Sequence, residues 1–259
     1  MKKKTGTKIV SVFFFIFRYC FKSCCYKNQT VSKNQIVFQT ALLPINMSKT
    51  NTSKKNRIIT VVVILLVLII DQLSKIWVKT NMSLYESIEI AQWFKIYFVE
   101  NNGMAFGWEV GGKLFLSLFR IIAIVLIAYY LHILIKRKYA IGFTVCIALI
   151  WAGALGNIID SVFYGEIFSQ SLPNQVATFV PFGEGYSSIL HGKVVDMLYF
   201  PLVNGTFPEW VPQWGGENFI FFSPIFNIAD SAITVGIFIL LLFYRKTFSH
   251  SIEGKRAKR

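Results

Sequence analysis

The chain has 259 residues, of which 54% are hydrophobic and only 15% are charged, and its formal net charge is +14. Soluble domains carry about a quarter charged residues, so this composition excludes an ordinary soluble globular protein. The basic residues lie at the chain ends and beside apolar blocks, with no stripe of basic and aromatic residues. This pattern argues against nucleic acid as a partner and indicates a membrane with anionic lipids.

The first 57 residues form a basic and polar extension. Its apolar stretch, Ile9–Phe17, is too short to cross a bilayer, which takes about 20 residues in a helix. Met47 begins a short basic lead directly before the first long apolar block. We expect Met47 to be the true start and residues 1–46 to be a mis-assigned extension, with a weak surface-binding segment as the alternative. The four cysteines lack paired zinc-type spacing, so we expect inert thiols.

Four later blocks are apolar and long enough to span a membrane. They cover about Ile58–Val78, Gly112–Leu134, Ala140–Asp160 and Ile225–Tyr244. Between the first two blocks, Leu84–Glu100 alternates apolar and polar residues in short stretches, which predicts strands in a small sheet outside the membrane. A long loop, Ser161–Pro224, precedes the fourth block.

The basic residues also predict the orientation. They flank the start of the first block, fill the turn between the second and third, and follow the fourth. The two larger loops carry few basic residues and several acidic ones. The positive-inside rule therefore places both termini in the cytoplasm and both large loops outside. The predicted fold class is an all-α membrane protein: four transmembrane helices at residues 58–244 with a small extracytoplasmic β-sheet and a long outer loop, then a basic cytoplasmic tail at 245–259.

This topology brings every aspartate of the chain to the outer side: Asp71, Asp160, Asp196 and Asp230. A charge inside the bilayer costs at least about 2.5 kcal/mol, so such residues usually have a partner and a function. Asp71 and Lys75 are spaced i, i+4 and predict a structural ion pair. Asp160 is expected to be solvated at a helix end, without a catalytic role.

The fourth block contains no charged residue other than Asp230, which makes Asp230 the most informative of the four aspartates. Asn227 lies three residues earlier and is expected on the same helix face. A buried Asp needs a partner, and Asp196 is available on the same side. Two close carboxylates share one proton, an arrangement suited to peptide hydrolysis. His191 is the only histidine on the outer side, and the sequence contains no HExxH motif. The residues that a Ser-His-Asp or a zinc mechanism requires are therefore missing. We predict an intramembrane aspartic peptidase that needs no metal and no cofactor.

Two other functions are compatible with membrane carboxylates. A small proton- or cation-coupled transporter is the main alternative, but the carboxylates collect at one side without a polar path to the other. A non-catalytic scaffold would not explain Asp230. The GxGD string of presenilin-type peptidases is absent.

Five short motifs resemble, in order, those of the lipoprotein signal peptidase (signal peptidase II) family, from about Ile58 to Tyr244. They read DQLSKIWV, VENNGMAFG, GALGNIID, VVDM and FNIADSAITVG. The resemblance implies that Asp196 and Asp230 are the catalytic pair. It also implies that the other matching residues bind substrate or support the site: Asn101, Gly103, Asn157, Asn227, Asp71 and Lys75.

The resemblance further implies the substrate and the location. The family has four helices and an extracytoplasmic β-cradle in the bacterial cytoplasmic (inner) membrane, with its active site near the outer face. It cuts prolipoproteins directly before a Cys that carries diacylglycerol. We expect contacts with membrane lipids and a monomer. Two features depart from the family: Ser161 stands where many members have Arg, and Tyr164–Lys193 and the Pro/Trp-rich stretch after Tyr199 are enlarged.

Overall fold

The computed structural model describes residues 52–102, 112–201, 203–206, 208–210, 212, 215–221 and 224–253. The expectations for residues 1–46, Met47 and Gly103 lie outside these residues. The helices are α1 (Thr52–Asn81), α2 (Gly112–Lys136), α3 (Ile141–Ile159), α4 (Ile228–Phe243) and α5 (Arg245–Ile252). The strands are β1 (Ser87–Ala91), β2 (Phe94–Asn101), β3 (Val194–Tyr199), β4 (Val203–Thr206), β5 (Asn218–Phe221) and β6 (Ile225–Phe226).

Three of the described helices are long and apolar enough to cross a membrane, namely α1, α2 and α3 with its continuation to Ile167. A fourth span results if α4 and α5 count together, although they meet at an angle of 92°. Half of the apolar window of α3 is buried, compared with 17% for α1 and for α2. The central helix of the bundle is therefore α3.

α3 does not end at Asp160 as its apolar block suggests. It continues through a π-helical turn, Asp160–Tyr164, and one further turn, Gly165–Ile167. The fourth helix is shorter than its apolar block, because it begins at Ile228 and not at Ile225. The reason is that Ile225 and Phe226 extend as β6 and pair with Tyr199 and Leu198 of β3.

A four-stranded antiparallel sheet has the order β1-β2-β3-β6. The alternating segment predicted to form strands supplies β1 and β2. β3 and β6 come from the second loop and its junction with α4, and their short apolar runs carried no alternation to reveal them. A separate hairpin pairs β4 with β5 in the stretch after Tyr199.

One apolar cluster holds the helices together, and a second attaches the sheet to them. One fills the space among α2, α3 and α4 around Leu134, Phe143 and Leu240. The other lies where α1, the α3 continuation and the sheet meet. Its buried residues are Val78, Met82, Phe98, Tyr164, Phe168, Val195 and Met197. This second cluster packs the sheet against the end of the helix bundle.

Glycine allows α3 to approach its neighbours closely. A Cβ at Gly153 would lie 2.2 Å from the carbonyl oxygen of Ala229 in α4, and one at Gly156 would lie 2.7 Å from Oδ2 of Asp71 in α1. Small residues serve this purpose at helix interfaces in membranes. The close contact brings the polar residues of α1, α3 and α4 within reach of one another.

Gly153→Val tests this packing. The added side chain meets backbone, which cannot move aside as a flexible side chain would, so we expect the free energy of unfolding to fall by about 1–3 kcal/mol. Thermal unfolding of the detergent-purified protein measures it. Val235→Leu, at a position of α4 that is 48% exposed, is the control and should match the wild type. An unchanged melting temperature for Gly153→Val would contradict the close approach of α3 and α4.

Candidate active site

A buried ammonium group lies at the centre of the polar cluster between the helices. Lys75 of α1 is fully buried, and its Nζ lies 2.9 Å from Oδ2 of Asp71 and 2.9 Å from Oδ2 of Asp160. It also donates to Oδ1 of Asn157 at 2.9 Å. The ion pair predicted from the i, i+4 spacing is therefore present. Because an ammonium group has three donors, Lys75 is fully satisfied.

Asp71 reaches beyond its own helix. Its Oδ1 accepts a 2.8 Å hydrogen bond from the backbone N–H of Ala229, in the first turn of α4. The first N–H groups of a helix have no partner within the helix and must find one elsewhere. Asp71 thus joins α1 to the start of α4 in addition to pairing with Lys75.

The expectation that Asp160 is solvated was wrong. Asp160 is completely buried, because the helix continues past it and β3 packs over it. Besides the bond to Lys75, Oδ1 accepts from Nε2 of Gln72 at 3.0 Å, and Oδ2 accepts from the backbone N–H of Val195 at 3.3 Å. Asp160 therefore joins α1, α3 and the strand that carries Asp196.

The start of α4 places Asp230. Asn227 caps the helix: its Oδ1 accepts from the backbone N–H of Asp230 at 2.9 Å, and the backbone N–H of Asn227 donates to Oδ2 of Asp230 at 3.4 Å. Asp230 lies in the first turn of α4, nearer to the start of the helix than its position in the apolar block Ile225–Tyr244 suggests. Asn227 precedes the helix and does not share a helix face with Asp230. The two remain neighbours because a capping box bonds them reciprocally.

Three asparagine side chains bring the two predicted catalytic aspartates into one hydrogen-bonded group. Nδ2 of Asn227 donates to Oδ1 of Asp196 at 2.7 Å and to Oδ1 of Asn157 at 3.1 Å. Nδ2 of Asn157 donates to Oδ1 of Asp230 at 2.8 Å. On the other side, Nδ2 of Asn101 donates to Oδ2 of Asp196 at 3.3 Å. The group draws on β2, β3, α3 and the cap of α4.

The electrostatics favour a shared proton. Burial, and after it the negative charge of Asp230, raises the pKa of Asp196 to about 8. The charge of Lys75 and the amides of Asn101 and Asn227 act in the opposite direction without reversing the shift. Burial and the charge of Asp230 therefore favour the protonated form of Asp196.

Sequence reasoning missed two residues of this region. Arg120 of α2 interacts electrostatically with both Asp196 and Asp230. Gln72 donates to Asp71 and Asp160 and accepts from the hydroxyl of Tyr164 at 3.2 Å. Both residues lie inside apolar blocks, where a polar side chain is itself a signal of a partner.

Comparison with known proteins decides the family. The family model described as Signal peptidase (SPase) II matches residues 63–245. The chain belongs to the signal peptidase II family. A lipoprotein signal peptidase of Porphyromonas gingivalis is 55% identical over 194 residues, which cover 74% of this chain and 85% of the relative. One from Amoebophilus asiaticus is 36% identical over 200 residues, covering 74% and 80%.

A solved structure of a bacterial membrane enzyme also matches, with a TM-score of 0.50 and 25% sequence identity over 78% of this chain and 94% of that one. The resemblance predicted from the five motifs is confirmed. As a signal peptidase II family member the protein is a peptidase, and the transporter alternative has no support.

Lys75→Met tests the central ammonium group. The substitution leaves Asp71 and Asp160 buried without their counter-ion, so we expect the free energy of unfolding to fall by about 3–5 kcal/mol. Thermal unfolding in detergent measures the change. Lys95→Met is the matched control, because Lys95 pairs with Glu89 at 2.6 Å in a solvent-exposed setting and its loss should cost less than about 1 kcal/mol. Equal stability losses for the two variants would contradict the central role of Lys75.

Proposed function

We propose that this protein is an aspartic endopeptidase that removes signal peptides from diacylglyceryl-modified prolipoproteins by cutting directly before the lipidated Cys. Two relatives, at 55% and 36% identity, are named lipoprotein signal peptidases. The observation in this chain that carries the proposal is the asparagine bridge that joins Asp196 and Asp230.

The proposed mechanism uses one proton held by the pair. Asp196, protonated because its pKa is raised to about 8, donates a hydrogen bond to the scissile carbonyl oxygen. Ionised Asp230 takes a proton from water, and the resulting hydroxide attacks the carbonyl carbon. Asp230 then gives that proton to the amide nitrogen of the Cys as the C–N bond breaks. Asn227 and Asn157 hold the two carboxyl groups in orientation throughout.

We further propose that the other matching residues support this pair. Asn101 orients Asp196, Lys75 and Asp71 hold α1 against α3 and α4, and Gly103 belongs to the same substrate-binding motif by resemblance. Asp160 is added to the supporting residues, because it joins Lys75 to the backbone of β3.

The membrane arrangement is also a proposal. α4 has 16 residues and spans about 24 Å, which crosses most of the hydrocarbon core, and α5 turns away by 92°. We propose four spans at residues 58–244, both termini in the cytoplasm, the sheet as an extracytoplasmic cradle, and residues 1–57 and 245–259 as extension and tail. The site lies near the last turns of α1 and α3, at the end where the sheet packs.

The partners follow from this arrangement. Large apolar side chains of α1 and α2 are exposed, including Leu65, Leu73, Ile122 and Leu126. We propose that these faces contact membrane lipids. We also propose that the protein acts on prolipoproteins as a monomer.

Replacing either aspartate tests the mechanism. Asp196→Asn and Asp230→Asn should each lower kcat on a diacylglyceryl-modified lipobox peptide by at least about 1,000-fold, because Asn cannot exchange the proton. The double variant should be little worse, since the two act as a unit. Asp71→Asn and Asp160→Asn, compared at equal amounts of folded protein, should lose less turnover and mainly reduce the yield of folded protein. Near-normal turnover by either Asp196→Asn or Asp230→Asn would refute the pair.

Reporter fusions test the orientation. A reporter active only outside the cytoplasm should work when fused after Gly185 and stay inactive after Lys138 or at the C-terminus, because the basic residues cluster at the latter two places. Reporter activity in whole cells, compared at equal amounts of fusion protein, is the measurement. An active fusion after Lys138 would overturn the proposed orientation.

A further inference from the structure

A second buried ammonium group lies one helical turn beyond Lys75 on the same ridge of α1. Nζ of Lys79 lies 2.5 Å from Oε1 of Glu100 and donates to Oγ of Ser171 at 2.9 Å. It also lies over the rings of Tyr186 and Phe168, at 4.9 and 5.4 Å from their centroids. Lys79 is fully buried and the side chain of Glu100 is only 3% exposed. The proposed catalytic mechanism uses none of these groups.

Glu100 is the centre of this second cluster. Its Oε1 also accepts from Oγ of Ser171 at 2.7 Å, and its Oε2 lies 3.1 Å from Nζ of Lys193. Burial by itself would raise the pKa of Glu100, but the charges of Lys79 and Lys193 and the bond from Ser171 hold that pKa below its usual value. The group is therefore a carboxylate bound between two cations.

The position of Glu100 in the sheet connects it to the catalytic pair. Glu100 is opposite Val195 in the register of β2 and β3, and its neighbour Asn101 is opposite Val194. Successive side chains of a strand point to opposite faces. The side chain of Glu100 therefore faces α1 and the loop, whereas that of Asn101 faces Asp196, to which it donates.

The long segment between α3 and β3 supplies the rest of the cluster. Ser171 donates a hydrogen bond to Glu100, and Lys193 forms an ion pair with it. The hydroxyl of Tyr186 accepts a 2.7 Å hydrogen bond from the backbone N–H of Lys193. Lys193 directly precedes β3. The segment between α3 and β3 therefore ties the first residues of β3 to the same carboxylate that holds β2.

We propose that Glu100 is a positioning residue: clamped between Lys79 and Lys193, it fixes β2 and the start of β3 to α1, so that Asn101 stays bonded to Asp196. The inference rests on the proposed function, because it takes Asp196 as a member of the catalytic pair. It assigns the segment from Ser171 to Lys193 a role in supporting the site.

Glu100→Gln is the test, made in the full chain in detergent with the diacylglyceryl-modified lipobox peptide. Gln keeps the shape but loses the charge that both cations bind. We expect kcat to fall about 10- to 100-fold, with KM within about twofold, because the reacting groups lose alignment while the binding surface remains.

The pH profile of kcat/KM separates positioning from a general loss of structure. Asn101 favours ionised Asp196, so a loosened Asn101 raises the pKa of Asp196 and moves the alkaline limb of the profile to higher pH. Removing a negative charge near Asp196 would by itself move that limb to lower pH. The charged groups that face Asp196, namely Asp230 of α4, Lys75 of α1 and Arg120 of α2, are unchanged in the variant.

Two further variants complete the test. Glu89→Gln is the matched control, because it removes a carboxylate from an exposed ion pair with Lys95 in the same sheet; kcat and the pH profile should equal those of the wild type. Ser171→Ala removes two hydrogen bonds of the cluster, the one from Lys79 and the one to Glu100, without changing charge. It should lower kcat and raise the alkaline limb as Glu100→Gln does, but by less. If Glu100→Gln does not fold, Ser171→Ala takes its place as the test.

The outcomes separate this inference from the proposed function. A wild type that cleaves, an inactive Asp196→Asn, and a Glu100→Gln with lower kcat and a raised alkaline limb support the inference. If Glu100→Gln behaves like Glu89→Gln, or loses kcat without a raised limb, the positioning role is overturned while the proposed function stands. An active Asp196→Asn overturns the proposed function itself, and the inference with it.

Discussion

The ammonium group of Lys75 is the interaction on which the rest of the structure depends. Burying a charge in a membrane bundle is costly unless every donor has an acceptor, and Lys75 has three: Asp71, Asp160 and Asn157. Each of these acceptors makes a further bond that leaves the cluster, to the start of α4, to the backbone of β3 and to Asp230 respectively. One charge therefore links the described elements that carry the proposed catalytic pair, Asp196 and Asp230.

The same constraint explains why neutral amides surround the two aspartates. A cation bonded to each carboxylate would hold both in the ionised form, and the proposed mechanism would then lack a proton for the carbonyl oxygen. Asparagine donates a hydrogen bond without adding charge. Asn157 shows the use of this property, since its oxygen accepts from Lys75 while its nitrogen donates to Asp230. The ammonium group of Lys75 is thus separated from Asp230 by the amide of Asn157.

Local patterns in the sequence were enough to predict the apolar blocks, the strands β1 and β2, and the ion pair of Asp71 with Lys75, because each depends on neighbours in the chain. The burial of Asp160 was beyond such patterns, because it depends on Val195 and Gln72, which are 35 and 88 residues away. The start of α4 was misplaced for a similar reason: hydropathy continues through Ile225, but sheet pairing with β3 extends the chain up to the Asn227 cap.

The ridge of α1 unites the two clusters. Lys75 and Lys79 are four residues apart and face the same way, yet the first binds the helices and the second binds the sheet and the loop. The segment from Ser171 to Lys193 contributes a hydroxyl, a ring and an ammonium group to that second cluster. If this segment moved away, Glu100 would remain buried without its hydrogen bond from Ser171 and its ion pair with Lys193, which is unfavourable. The proposed positioning role therefore requires this segment to stay packed against β2 and the start of β3.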